Sequence, residues 1–194
     1  MLIDFTPELH KKALEIVKHY KMGPIFTPPV VSKAEGPWAT LVASLSGSNW
    51  MGGSIDLETG IVYVGSSRSI LGIGLVFSGT RSDVGYISGR APGAQGSLSV
   101  DGLPLVKPPY SRISAIDLKT GTILWQVAHG DTPDNVHNQP ALKGLNIPRT
   151  GHGNAAITLV TKTLLIAGGR GTITLPDGRT GAMLRAYDKA TGGI

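Results

Sequence analysis

The sequence contains no cysteine, which excludes disulfide staples and a cysteine nucleophile, whichever redox compartment holds the chain. Long apolar runs are missing too. The longest, ILGIGLVF from Ile70 to Phe77, is too short to span a bilayer, and the N-terminus shows no signal-peptide pattern, so the chain as written is expected to carry no export address. Charged residues amount to only 16% against 41% hydrophobic ones, a balance that excludes a disordered chain and allows a buried core. The formal net charge of +5 raises nucleic acid as a partner. The basic residues are scattered, however, and the one locally basic stretch, HKKALEIVKHYK, places its lysines on the polar side of a helix without interleaved aromatics, so nucleic acid is set aside. A Gly-x-Ser-x-Gly elbow is also absent, and GIGLVFSG lacks both the glycine order and the strand-helix setting of a dinucleotide site.

What the sequence has in quantity is turn-forming residues: 27 glycines and 13 prolines, which with few helical patterns favour an all-β chain. One helix is expected near residues 6 to 21. Thr6 caps it, Pro7 and Glu8 occupy its first turn, and Leu9, Ala13, Ile16, Val17 and Tyr20 recur at the spacing of one helix face, with Gly23 and Pro24 ending it. A Pro-rich connector, GPIFTPPVVSKAEGP, leads into strand-like sequence.

Part of that sequence recurs. SIDLETG begins at Ser54, AIDLKTG at Ala115 and AYDKATG at Ala186, a pattern close to [SA]-[IY]-D-x-x-T-G. In each copy the aspartate is placed to accept hydrogen bonds from turn amides, and the glycine supplies a positive φ. With the hairpin NAAITLV and TLLIAGG around Thr161-Lys162-Thr163, these turns give two antiparallel units, the first running from about Ser48 to Ala128. The second runs from Gly151 onward and is incomplete. Repeated four-stranded antiparallel units predict propeller blades, in which Trp125 docks on the neighbouring blade. A β-sandwich with chance Thr-Gly turns is the alternative. The predicted organisation is a helix and connector over 1–47, a blade over 48–128 with a long insertion at 67–110, and a connecting loop with an incomplete second blade over 129–194. Closed propellers need about four to eight blades, so this chain is expected to be a piece of a larger assembly.

The loop HGDTPDNVHN gathers His129, Asp131, Asp134, His137 and Asn138 near His152. Its spacing fits neither a zinc signature nor an EF-hand, and a polar loop covering one end of the blades accounts for it.

The segment AIDLKTGTILWQV resembles the tryptophan-docking repeat of the pyrroloquinoline quinone (PQQ) dependent dehydrogenases. FTPELHKKALEIVKHYKMGPIFTPP, NWMGGSIDLETGIVYV, VDGLPLVKPPYSRISAIDLKTG and GDTPDNVHNQPALKGLNIPRTG resemble, in order, segments of their membrane-bound glucose dehydrogenase branch. The resemblance implies an all-β fold, about two four-stranded blades of an eight-bladed quinoprotein propeller preceded by one helix. It implies oxidation of a glucose-like sugar or an alcohol, with PQQ and Ca²⁺ or Mg²⁺ as cofactors and a quinone as electron acceptor. It further implies a periplasmic location, with membrane association in the full-length protein.

The family's Asn-Trp pair at the cofactor matches Asn49 and Trp50; an amide offers donor and acceptor without adding charge beside an anionic tricarboxylate. Where alcohol-oxidising relatives place a tryptophan followed by two glycines, this sequence has His152, Gly153 and Asn154. His152 and Asn154 are therefore cofactor-facing candidates, and a strand cap is the other reading of His152. The family's catalytic aspartate and metal ligands match no position here, so no catalytic residue is assigned and the isolated chain is expected to be inactive. Asp56, Asp117 and Asp188 are assigned to turns. The partners implied are the remaining blades, a small sugar or alcohol and the quinone acceptor. A non-enzymatic propeller scaffold and an inactive remnant of a split gene remain as alternatives.

Overall fold

The computed structural model describes residues 2–43, 47–48, 52–94, 96, 98–152, 156–169, 173–174 and 178–194. In chain order its elements are α1 (Pro7–Val17), β1 (Tyr20–Lys21), β2 (Val30–Val31), β3 (Ala39–Val42), β4 (Gly53–Asp56), β5 (Ile61–Ser67), β6 (Leu71–Phe77), β7 (Tyr86–Ser88), β8 (Ser99–Val100) and β9 (Leu103–Pro104). There follow β10 (Ser111–Asp117), β11 (Thr122–Ala128), the short helix α2 (Asp134–His137), β12 (Ala156–Val160), β13 (Leu164–Gly169), β14 (Ile173–Thr174), β15 (Thr180–Gly181) and β16 (Leu184–Asp188). The chain divides into two compact units, Met1–Ser44 with Ile70–Lys107, and Leu45–Ser69 with Pro108–Ile194.

In the first unit Thr6 caps α1 as expected, its side chain accepting from the Leu9 N–H, with Pro7 opening the helix. Leu9, Ala13 and Val17 are buried and Ile16 half-buried. The helix is shorter than its apolar spacing predicts. It ends at Val17 because the chain is captured into a sheet: the Trp38 N–H donates to the His19 carbonyl at 2.8 Å, and Tyr20 pairs in parallel with Ala39. Tyr20 is thus buried from a strand rather than from the helix face. This sheet has the order β1-β3-β6-β2, with β7 on β6. It joins residues far apart in the chain, since β6 pairs antiparallel with β3 and parallel with β2. The pair β8 and β9 is a further strand pairing in this part of the chain.

The second unit carries the repeats. β4, β5, β10 and β11 form one antiparallel sheet in the order β11-β10-β5-β4, and β12, β13 and β16 form another in the order β12-β13-β16. All three repeat turns close in the same way. The N–H groups of Gly60, Gly121 and Gly192 donate to the carbonyls of Asp56, Asp117 and Asp188 at 2.8, 2.8 and 2.9 Å, each glycine at a φ between +69° and +74°. The aspartate carboxylates accept from the turn: Asp56 from the Glu58 N–H, Asp117 from the Lys119 N–H and Thr120 hydroxyl, Asp188 from the Ala190 and Thr191 N–H groups. The turn donors hold the Asp117 and Asp188 carboxyls below the usual carboxylate range. These three aspartates are turn residues.

The two sheets stack face to face. Tyr63, Ile113 and Ala115 of the first bury against Ala156, Leu165, Ala167 and Tyr187 of the second, with Ile61, Trp125, Val127 and Val160 at the margin. Small residues set the spacing: a Cβ on Gly65 would stand 2.3 Å from the Ala156 carbonyl oxygen, so the backbones touch there. Trp125 reaches from β11 across the stack. Its indole N–H donates to the Lys189 carbonyl at 3.0 Å, and its ring lies where a Cβ on Gly192 would be. The Lys189 ammonium in turn donates to Asp56 at 2.6 Å, the two side chains 15% and 6% exposed. One turn of the second sheet therefore receives both a tryptophan and a carboxylate from the first. The fold is all-β, an open pair of propeller blades with one N-terminal helix.

Candidate functional site

β12 packs along β4 and β5. The Ser54 hydroxyl donates to the Thr158 hydroxyl at 3.0 Å, and Gly65, one residue past the partner of Gly53, abuts Ala156. β4 and β12 therefore run in the same direction and begin at the same end of the stack. His152 stands ahead of Ala156, at the start of β12. Asn49, Trp50 and Asn154 lie outside the described residues. Gly52, entering β4, has a φ of +96° and, among the described residues, no atom within 4 Å of where a side chain would project.

His152 is half-buried, and its backbone N–H donates to the His129 carbonyl at 2.9 Å. That bond ties the segment leading into β12 to the end of β11. His129 itself is 2% exposed, and its Nδ1 lies 2.8 Å from the Tyr187 hydroxyl. Two carboxylates of this loop are spent on the scaffold. Asp131 pairs with Arg185 at 2.5 Å, Asp134 accepts from the Thr174 hydroxyl at 2.8 Å, and His137 and Asn138 are exposed at the end of α2. Among the described residues no group of three His, Cys, Asp or Glu is arranged to hold a metal ion. Of the residues read from the sequence as cofactor-facing, His152 lies among the described residues, half-buried ahead of β12.

Sequence reasoning did not find the roles of Tyr187, Arg185 and Lys189, or the burial of His129. Each depends on a partner in the other sheet, and only the stacking of the repeats hinted at such contacts.

Burial pushes the His129 imidazole down to about 4, the charges of Arg185 and Arg149 act in the same direction, and Asp131 opposes them. Tyr187, which faces His129, has its phenol raised by burial and keeps its proton. A histidine whose folded pKa is depressed binds fewer protons folded than unfolded between those two values. Its stabilising contribution is complete above the unfolded value of about 6.5 and is lost as pH falls toward about 4. Stability is expected to fall by about 2–3 kcal/mol from this group between pH 7 and pH 4.5. Urea titrations at the two pH values check this: His129→Asn should flatten the difference, and an unchanged difference would remove His129 as its source.

Two stacked antiparallel blades, joined by a tryptophan set on the next Asp-x-x-Thr-Gly turn, define a β-propeller protein. Over residues 1–194 the chain matches the family described as "PQQ: Glucose/ethanol/alcohol dehydrogenase, beta-propeller domain", and it belongs to that family. It is 31% identical over 166 residues to the "Probable quinate dehydrogenase (quinone)" of Xanthomonas campestris pv. juglandis. That similarity covers 77% of this chain and 20% of the relative, so the chain spans about a fifth of that protein's length. Among the described residues no helix is long and apolar enough to cross a membrane.

Proposed function

We propose that this chain forms two blades of a PQQ-dependent dehydrogenase that oxidises a hydroxyl-bearing carbon of a sugar or alcohol and passes the electrons to a quinone. The observation that carries this reading is the stacking of β12 on β4 as neighbouring antiparallel blades. The match to the dehydrogenase family supports it. The named relative points to a quinone acceptor and to quinate as substrate; the segment resemblance favours a glucose-like sugar and the membrane-bound glucose dehydrogenase branch. A periplasmic site, with membrane association of the full-length protein, goes with the same reading.

In this proposal Asn49, Trp50, His152 and Asn154 face the cofactor, the amides and imidazole meeting its polar edge and the indole its ring plane. Bound PQQ would supply the two-electron acceptor. The general base and the ligands of Ca²⁺ or Mg²⁺ are assigned to further blades. Those blades also cover the outer face of the second sheet, where Ile157, Leu159 and Leu184 are 53%, 63% and 73% exposed.

The test is PQQ retention by the complete protein in equilibrium dialysis with Ca²⁺, followed by dye-linked oxidation of glucose, simple alcohols and quinate. Asn49→Ala and His152→Ala are each expected to weaken PQQ binding about tenfold, the loss of roughly one hydrogen bond to a charged guest. The 194-residue chain alone should show no turnover with PQQ and Ca²⁺. A complete protein that retains no PQQ would favour the non-enzymatic scaffold, and turnover by the chain alone would overturn the assignment of the base to other blades.

A further inference from the structure

We propose that His129 is a positioning residue, clamping His152 onto the end of the first blade. The proposal rests on the reading of His152 as a cofactor-facing residue.

His129 is engaged on every side. Its N–H donates to the Ser111 carbonyl at 2.9 Å, and its own carbonyl accepts the His152 N–H at 2.9 Å. Its ring is hydrogen-bonded at 2.8 Å to Tyr187, a fully buried residue of β16 in the other blade. Tyr187 also receives a hydrogen bond from the Gly130 N–H. One residue thus joins the end of β11, the start of β10, the segment before β12 and the third strand of the second blade.

The packing around these bonds leaves no slack. A Cβ on Gly151, at φ +72°, would lie 2.3 Å from the Ser111 oxygen and 2.8 Å from the His129 oxygen. On Gly130, at φ +84°, it would lie 2.9 Å from the His152 Cβ, and on Gly169 it would lie 3.1 Å from the His129 Nε2. Glycine at each place lets the backbone close on the clamp. The ring matters because the backbone bonds hold His152 only as firmly as residue 129 is itself held. The Asp131–Arg185 pair is a separate tie between the same loop and β16. Loss of the imidazole is therefore expected to loosen His152 without separating the blades.

Amide exchange in the 194-residue chain, followed by NMR at pH 7, reads this directly. His129→Ala should speed exchange of the His152 N–H at least tenfold and leave the turn amides of Gly60 and Gly121 unchanged. His129→Asn, whose amide reaches the position of Nδ1, should restore protection. Unchanged protection at His152 in His129→Ala would overturn the clamp. Equal loss of protection at Gly60 and Gly121 would overturn it too, since His129 would then only stabilise the fold. In the complete protein His129→Ala should weaken PQQ retention about tenfold with rescue by His129→Asn; no change there, where His152→Ala does weaken retention, would refute the positioning role. If His152→Ala leaves PQQ affinity unchanged while the exchange result holds, the cofactor reading of His152 fails and the clamp stands.

Discussion

Replacing Trp125 with alanine is expected to lower stability by about 3 kcal/mol, below the upper end for a large aromatic because the ring is only half-buried. The loss has three parts. The indole covers Gly192 closely enough that its Cε3 stands 2.8 Å from where a Cβ would be. It packs at a tilt on Tyr63, with ring centroids 5.8 Å apart, and its N–H is bonded to the Lys189 carbonyl. Trp125→Phe retains most of the area and loses the hydrogen bond, so it should cost about 1 kcal/mol less than the alanine variant. Urea titration of the three proteins measures both steps. A Trp125→Ala protein within about 0.5 kcal/mol of the parent, the range of ordinary surface substitutions, would show that the tryptophan does not hold the blades together. Gly192→Ala is expected to act through the same contact from the opposite side, with added strain from its φ of +73°.

Gly65→Ala is expected to be at least as damaging. Its Cβ would meet backbone rather than a movable side chain, 2.3 Å from the oxygen and 2.7 Å from the nitrogen of Ala156. The sheets must separate to admit it, and that exposes the packing of Tyr63, Ile113 and Ala115 on Leu165 and Tyr187. Overpacking of a closed core costs about 1–3 kcal/mol and sometimes more; with two backbones in contact the upper end is expected. Gly168→Ala is the control, because among the described residues its new methyl would meet only the Leu184 side chain, at 3.5 Å. Thermal or urea unfolding of the pair should show a large loss for Gly65→Ala and a small one for Gly168→Ala. Equal effects would mean that strand propensity, and not blade spacing, governs glycine in these sheets.

Much of the fold was legible because its decisive contacts are local. The cap of α1 spans three residues, from Thr6 to Leu9, and each Asp-x-x-Thr-Gly turn is closed by bonds within its own five residues. The hairpins that flank the turns follow from alternating apolar residues, and the turn sets the register Asp117 to Thr122 and Ile116 to Ile123, whereas a bulge at Ala115 shifts Trp125 by one residue. The end of α1 was less legible. The apolar spacing continues through Tyr20, and only pairing with Ala39 shows that this residue belongs to a strand. In the stretch 70–107 the one strong apolar run became β6; its partners β2 and β3 come from before the first blade, and their pairing carries no local signature.

The candidate site divides along the same line. The repeats alone placed the starts of the two antiparallel units, at β4 and β12. Which residues brace those places was decided only when the blades stacked. His129 meets Tyr187 across 58 residues of sequence, and Lys189 meets Asp56 across 133. A turn is stabilised by donors and acceptors that covalent proximity supplies whatever the rest of the chain does, so its chemistry can be read from five letters. A buried histidine or ion pair takes its partner from whichever sheet lies opposite, and close backbone packing at Gly65 and Gly151 determines that arrangement only in the assembled tertiary structure.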